Sequence, residues 1–155
     1  MEETQLEKHI KNFIDRYTTL TLACCFSNQP WAADVYYVRN EFDLLFVSSE
    51  NSHHIQIIQQ NPCVAGTIHG EYRSWREIKG VQMIGQVSPV SRLGEKSVAS
   101  RIFCGKYDFA KELIENFEFI FSKSKRALSF YKLQPSTIYY IDNSIKFGEK
   151  FQYDV

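Results

Sequence analysis

Leu6, Ile10, Phe13, Ile14 and Tyr17 recur at three- and four-residue intervals within a polar segment, a spacing that predicts an amphipathic helix over residues 4–17. Thr4 with Glu7 reads as a Ser/Thr-x-x-Glu capping box at its start. The period then changes. Residues 19–26, 31–38 and 42–48 are rich in β-branched and aromatic side chains, and turn formers in Ser27-Asn-Gln-Pro30 and Arg39-Asn-Glu41 separate them, so three antiparallel strands are predicted. Residues 52–60 place Ile55, Ile57 and Ile58 between polar neighbours and stop at Asn61-Pro62, where proline ends a helix. Strands are predicted again at 63–69, 72–78 and 80–90, with Gly70 at a turn and Gly80 at a bulge or kink. From Arg92 to about Tyr131 the pattern is helical, first through Val98, Ile102 and Phe103, then through Phe109, Leu113, Ile114, Phe117, Ile120 and Phe121. A last strand over 137–141 precedes Asp142-Asn143, and residues 145–153 add an extended segment.

Six or seven strands, a short helix between the third and fourth, and peripheral helices predict a mainly β protein built on a small closed or partly closed antiparallel barrel; a sandwich fits the same pattern. At 155 residues, with no internal repeat and no linker, the chain is expected to form one domain over 1–155.

Composition narrows the function classes. Hydrophobic residues make up 44% and charged residues 23%, ordinary globular usage. The longest apolar run, from Leu22 to Phe26, falls far short of a membrane span, and the first residues lack the basic and apolar regions of a signal peptide, so a cytoplasmic protein is expected. Cys24, Cys25, Cys63 and Cys104 form no CxxC pair and no zinc spacing; they are expected to be reduced thiols with packing roles. Basic and acidic residues balance at eighteen each, with a net charge of −4 over residues 1–70 and +4 over the rest. That balance speaks against nucleic-acid binding while permitting a local pocket for one phosphorylated small molecule.

No GxGxxG, GxxxxGK[ST], HExxH or GxSxG motif is present. Instead, Phe46-Val-Ser-Ser-Glu-Asn-Ser-His-His54 places hydroxyls and two imidazoles where a strand hands over to a helix. A helix N-terminus offers unpaired N–H groups and a partial positive charge, so a phosphate docked there gains both. Ser52 as a simple N-cap beside two surface histidines accounts for the same residues. Metal binding is not expected, because adjacent helical histidines point about 100° apart with no further ligand nearby.

Trp31-Ala-Ala-Asp-Val-Tyr-Tyr37, the corner Ser48…Ser52-His53-His54, the helix end Gln60-Asn-Pro62 and the strand Lys79-Gly-Val-Gln-Met-Ile-Gly85 follow one another in an order that resembles the FMN-binding split barrels similar to pyridoxamine 5′-phosphate oxidase. More narrowly, Val64-Ala-Gly-Thr67, Gly80-Val-Gln82 and Asp142-Asn143…Phe147-Gly148…Lys150 resemble a small, functionally uncharacterised bacterial family within that superfamily, over nearly the whole chain. The resemblance implies a six-stranded antiparallel split β-barrel, a homodimer, and one FMN in each of two clefts at the subunit interface. It places the main chain of Ala33, Asp34, Val35 and Tyr36 along the flavin ring, and Ser48, Ser49 and Ser52 at the phosphate. His53 and His54 stand where many flavin-binding members carry Arg and Lys, a departure that weakens phosphate affinity because imidazole is only partly charged at neutral pH. Lys79, Arg73 or Arg76 could compensate, and Gln82 matches a polar position directed at the flavin; an outward-facing Gln in an alternating strand is the plain alternative. Trp75 is expected at the barrel surface or an interface, and Lys123-Ser-Lys-Arg126 at a solvated helix end.

The resemblance thus implies an FMN-dependent oxidoreductase of open substrate, in which no side chain is singled out as catalytic and the cofactor supplies the chemistry. A non-enzymatic ligand-binding or sensing dimer, with flavin lost or replaced by haem or another ligand, is the alternative on the same fold.

Overall fold

The computed structural model describes residues 1–112 and 128–155. Residues Leu113, Ile114, Phe117, Ile120 and Phe121 of the expected second amphipathic run, and Lys123 to Arg126, lie outside the described residues.

Helix α1 (Glu3–Arg16) buries Leu6, Ile10, Phe13 and Ile14, the stripe that its periodicity marks out. Its N-cap is Glu2, with no side-chain cap bond, so the expected Thr4–Glu7 box does not form. Glu7 pairs with Lys11 instead (2.7 Å), and Lys11 also reaches Glu41 (3.0 Å). Strands β1 (Thr19–Phe26) and β2 (Gln29–Asn40) form a hairpin whose two turn residues, Ser27 and Asn28, have positive φ of 52° and 61°. Because the turn needs only those two residues, Gln29 and Pro30 belong to β2, which starts earlier than its hydrophobic pattern suggests. Strand β3 (Asp43–Ser49), helix α2 (His53–Gln60) and strand β4 (Cys63–His69) follow.

The strand expected over 72–78 is absent: residues Trp75–Glu77 form a single 3-10 turn, in which Glu77 N–H bonds to Ser74 O and the Ser74 hydroxyl accepts from Arg76 N–H. Trp75 and Ile78 are exposed, so the apolar residues that suggest a strand are not buried by one. Strand β5 (Lys79–Pro89), helix α3 (Leu93–Lys106), strand β6 (Leu128–Asp142) and strand β7 (Lys150–Asp154) follow, and residues 109–112, between α3 and β6, are also helical. Strand β6 begins well before the expected residue 137 and takes in residues 128–131, where helix was expected. Pairing with β3 on one side and β5 on the other overrides the local pattern there. The β5 irregularity falls at Ile84/Gly85 rather than at Gly80. A Cβ at position 85 would collide with the Gln134 carbonyl, so the close approach of the two backbones needs glycine.

The sheet runs β3-β2-β1-β4-β5-β6-β7, and a further β3–β6 pairing closes β1 to β6 into an antiparallel six-strand ring with β7 appended to β6. This is the split-barrel architecture. Tyr37, Phe46, Leu20, Leu22, Leu44, Ile68, Met83, Leu133 and Ile138 fill its interior, and α2 contributes Ile55, Ile57 and Ile58 to the same core. Helix α1 is fastened to the ring by the Tyr37 hydroxyl, which donates to Ile14 O (2.6 Å). A second cluster packs α3 on the outside of β2 and β3 through Val38, Leu45, Ala99, Phe103 and Tyr107.

Candidate functional site

The ring is not zipped along its whole height. Strand β2 pairs with β3 only over Tyr37–Asn40 against Asp43–Phe46; beyond that point β3 continues against β6 while β2 continues against β1 alone. Among the described residues, no strand pairs with the other side of β2 over residues 29–36. Tyr37 N–H donates to Thr18 O, so odd-numbered residues of β2 turn their peptide groups to β1, and those of Ala32, Asp34 and Tyr36 face the open side. Pro30 shares that parity, which lets a residue without an N–H sit on the free edge. Of the expected ring-contacting residues, Val35 is buried, Ala33 half-buried, and Asp34 and Tyr36 exposed. Asp34 accepts a bond from Thr21 Oγ1 (2.6 Å), and the Tyr36 ring meets Tyr107 and Phe109 edge-on.

Across the parting lies the end of β3 and the start of α2. Ser48 is buried, and its hydroxyl is hydrogen-bonded to His54 Nε2 (2.7 Å) and Ser52 Oγ (3.1 Å). Ser52 Oγ donates to Ser49 O (2.7 Å) and lies 3.3 Å from His54 Nε2; Ser49 Oγ accepts from Asn51 N–H (3.2 Å). Ser52 has the extended backbone of an N-cap and its carbonyl accepts from Gln56 N–H, yet its side chain makes no cap bond. The capping account of Ser52 therefore does not hold for its hydroxyl, and the first-turn N–H groups of α2 carry no side-chain cap. No acidic residue stands in that first turn; Glu50, exposed in the preceding loop, is the one carboxylate of residues 48–54.

The two histidines differ. Burial, and then the neighbouring His53, push the His54 imidazole below its ordinary pKa, so the ring favours the neutral form and acts by hydrogen bonding. His53 lies edge-on to Trp31 of β2, ring centroids 4.7 Å apart, so this contact spans the parting from helix to free strand. A groove of about 380 Å³ opens beside it, lined by Phe26, Gln29, His53 and Gln56. Beneath, Cys24 Sγ lies 3.7 Å from Trp31 O and 4.0 Å from His54 O.

The fold thus brings together Ala33, Asp34, Val35 and Tyr36 on one lip and Ser48, Ser49, Ser52, His53 and His54 on the other. Lys79 and Gln82 are elsewhere: both lie on β5, three strands from β2 either way round the ring. Lys79 pairs with buried Asp142 (2.9 Å), and exposed Gln82 accepts from Lys150 Nζ (2.8 Å). Burial pushes the Asp142 carboxyl up, but bonds from Ser144 and Lys79 outweigh it and hold the group below its usual range. Arg76 lies over the exposed Trp75 ring (4.9 Å). Trp31 and Cys24 also belong to the corner: they are register partners across β1 and β2, and Trp31 shares the parity of buried Val35 and Tyr37 yet stays exposed at the parted end of its strand. Among the described residues no three His, Cys, Asp or Glu side chains converge as for a metal, and no helix is long and apolar enough to cross a membrane.

A family model for pyridoxamine 5′-phosphate oxidase matches residues 6–142. A UPF0306 protein of Photorhabdus laumondii is 33% identical over 110 residues, 69% of this chain and 76% of that protein. A UPF0306 protein of Pasteurella multocida is 34% identical over 85 residues, 54% of this chain and 57% of that one. Among solved structures, a heme binding protein from Mycobacterium smegmatis superposes with a TM-score of 0.74 at 14% identity, covering 99% of this chain and 58% of that one. General Stress Protein 26 from Bacillus anthracis does so with a TM-score of 0.66 at 17% identity, covering 97% and 99%. A FAD-binding protein from Mesorhizobium loti gives 0.63 at 16% identity, covering 84% and 88%. At such identities these structures show the shared fold, whose members bind small molecules of different kinds.

Proposed function

The chain belongs to the pyridoxamine 5′-phosphate oxidase family, among its UPF0306 members, and we propose that it binds FMN at the parting of β2 and β3 and serves as a cytoplasmic oxidoreductase. One observation carries the reading. The α2 N-terminus, without a side-chain cap, sits among the Ser48 and Ser52 hydroxyls and the His54 ring, directly across from the open peptide edge of β2. The donor set fits a phosphate: two hydroxyls, two imidazoles, first-turn N–H groups and the positive end of a helix dipole. Ser48, Ser52 and the first-turn amides would hold the phosphate, and the Ala32, Asp34 and Tyr36 peptide groups would meet the edge of the planar ring. A bound flavin supplies hydride or electron transfer; the chain supplies position and exclusion of water.

Two copies complete such a site better than one. Gln82 and Lys79 lie on β5, three strands from the split of their own chain, and a second copy would bring its β5 to the first copy's parting. The expected mass by light scattering is that of a dimer.

Purified protein titrated with FMN should quench flavin fluorescence and gain about 2.7 kcal/mol of stability at a hundredfold excess over Kd. Unchanged fluorescence and melting at high micromolar FMN would reject the reading. A second reading, a ligand-binding protein without turnover, is favoured by one feature: Ser48, Ser52 and His54 already satisfy one another and carry no permanent cation. Binding of FMN without reduction by any nicotinamide donor would support it.

A further inference from the structure

Two cysteines that sequence spacing leaves unrelated meet across β1 and β4. The β1–β4 pairing runs Thr21↔Thr67, Leu22↔Gly66, Ala23↔Ala65, Cys24↔Val64 and ends there; Cys25 and Cys63 are the next residues on the two strands. Both are exposed and free, and both have outward parity, since their chain neighbours Cys24 and Val64 are buried. At this step the side chain of Asn61 stands between the backbones: its Nδ2 donates to Cys25 O (2.8 Å) and its Oδ1 accepts from Cys63 N–H (3.2 Å). Asn61 is also the C-cap of α2, its own N–H bonded to Ile57 O. The dithiol thus sits at the opposite end of α2 from Ser52. Fully paired residues at such a step have Cβ atoms roughly 4.5–5.5 Å apart, against roughly 3.8 Å in a disulfide, so a bond between Cys25 and Cys63 requires the two strand ends to close together and displace the Asn61 amide.

We propose that Cys25 and Cys63 form a reversible dithiol–disulfide clasp. The oxidant is a low-molecular-weight disulfide of the glutathione class. One protein thiolate displaces a sulfur of that disulfide, which gives a mixed disulfide and one small thiol. The second protein thiolate then attacks the protein sulfur of the mixed disulfide, forms the Sγ–Sγ bond and releases the second small thiol. Two electrons and two protons pass from the pair to the two small thiols. Disulfides of reducing compartments are characteristically of this transient, sensing kind. The bond closes a loop that contains β2, β3 and α2, and so both lips of the parting. Oxidation would therefore stiffen the segment on which the proposed ligand site is built, whatever that ligand is.

The native full chain is equilibrated with oxidised and reduced glutathione, acid-quenched and analysed by intact mass and non-reducing peptide mapping. The expected result is a loss of about 2 Da, two fewer alkylatable thiols, a Cys25–Cys63 peptide pair, and full reversal by dithiothreitol. Cys25→Ser and Cys63→Ser should each lose the cross-link and retain a glutathione adduct on the remaining cysteine, while Cys104→Ser forms it normally. Oxidised wild type should melt higher than reduced wild type, and Cys63→Ser should show no such rise. Separate glutathione adducts on both cysteines of the wild type, a cross-link through Cys24 or Cys104, or one formed only in denaturant would overturn the proposal. None of these readouts depends on FMN.

Discussion

Strands β2 and β3 each lead two lives, and the change comes at Tyr37 and Phe46. Below it they pair with each other, and Tyr37, Val38, Leu44, Leu45 and Phe46 are buried on one face or the other. Above it they part. Residues 29–32 of β2 are exposed whichever face they occupy, whereas β3 keeps its partner β6 and ends in the Ser48–Ser52–His54 network. The zipped half is held by apolar contact that surrounds each side chain. In the parted half β2 is held on one edge only, by its ladder to β1, and the Trp31–His53 ring contact crosses the gap. A strand with an unused peptide edge and little buried surface is costly for stability alone, and it is where a planar ligand finds hydrogen-bonding partners.

The comparison can be sharpened by substitutions in each half. Phe46→Ala should cost the most, about 3–5 kcal/mol in urea unfolding, since the ring is fully buried and stacked near Tyr131. A cost below about 1 kcal/mol would mean that the zipped half is not the stabilising half. Ser48→Ala should cost about 1–3 kcal/mol, because it leaves part-buried polar partners short of a bond. Trp31→Ala should cost about 1 kcal/mol or less, the ring being 46% exposed and in edge contact with His53. It should weaken FMN binding by more than it destabilises the fold; the reverse ranking would remove Trp31 from the site.

The smallest effect concerns pH. Burial lowers the His54 pKa in the folded chain, so the unfolded chain binds the proton more readily. That contribution to stability is present above the ordinary imidazole value of about 6.5 and is lost as pH falls through the lower folded value. Unfolding followed from pH 8 to about 5 should show this decline in wild type and a shallower one in His54→Gln. Identical profiles would show that His54 is no less willing to ionise in the fold than out of it.

Much of the fold was legible because burial on one face imposes a period. The α1 stripe, the β1 residues and the Asn61-Pro62 stop all follow from it. What escaped reading depends on partners distant in sequence. Residues 128–131 look helical alone and become strand because β3 and β5 flank them. The apolar residues of 72–78 look like a strand but form an exposed turn fixed by Ser74. In the site, the serines and histidines of 48–54 stand together as their spacing suggests, since four to six residues across a strand-to-helix corner leave little freedom. Lys79 and Gln82 share neither lip, and spacing cannot say on which side of a closed ring a strand will come to rest. The Cys25–Cys63 opposition was invisible for the same reason: register, unlike period, is decided by pairing.

The central claim is that the Ser48–Ser52–His54 corner receives a phosphate. FMN and riboflavin share the ring system and differ in that group, so parallel fluorescence titrations isolate it. Wild type should bind FMN at least about tenfold more tightly than riboflavin, about 1.4 kcal/mol, and the Ser48→Ala/Ser52→Ala double variant, shown by its melt to be folded, should bring the two near parity. Equal affinities in the wild type, or a preference for FMN that survives the double variant, would contradict it.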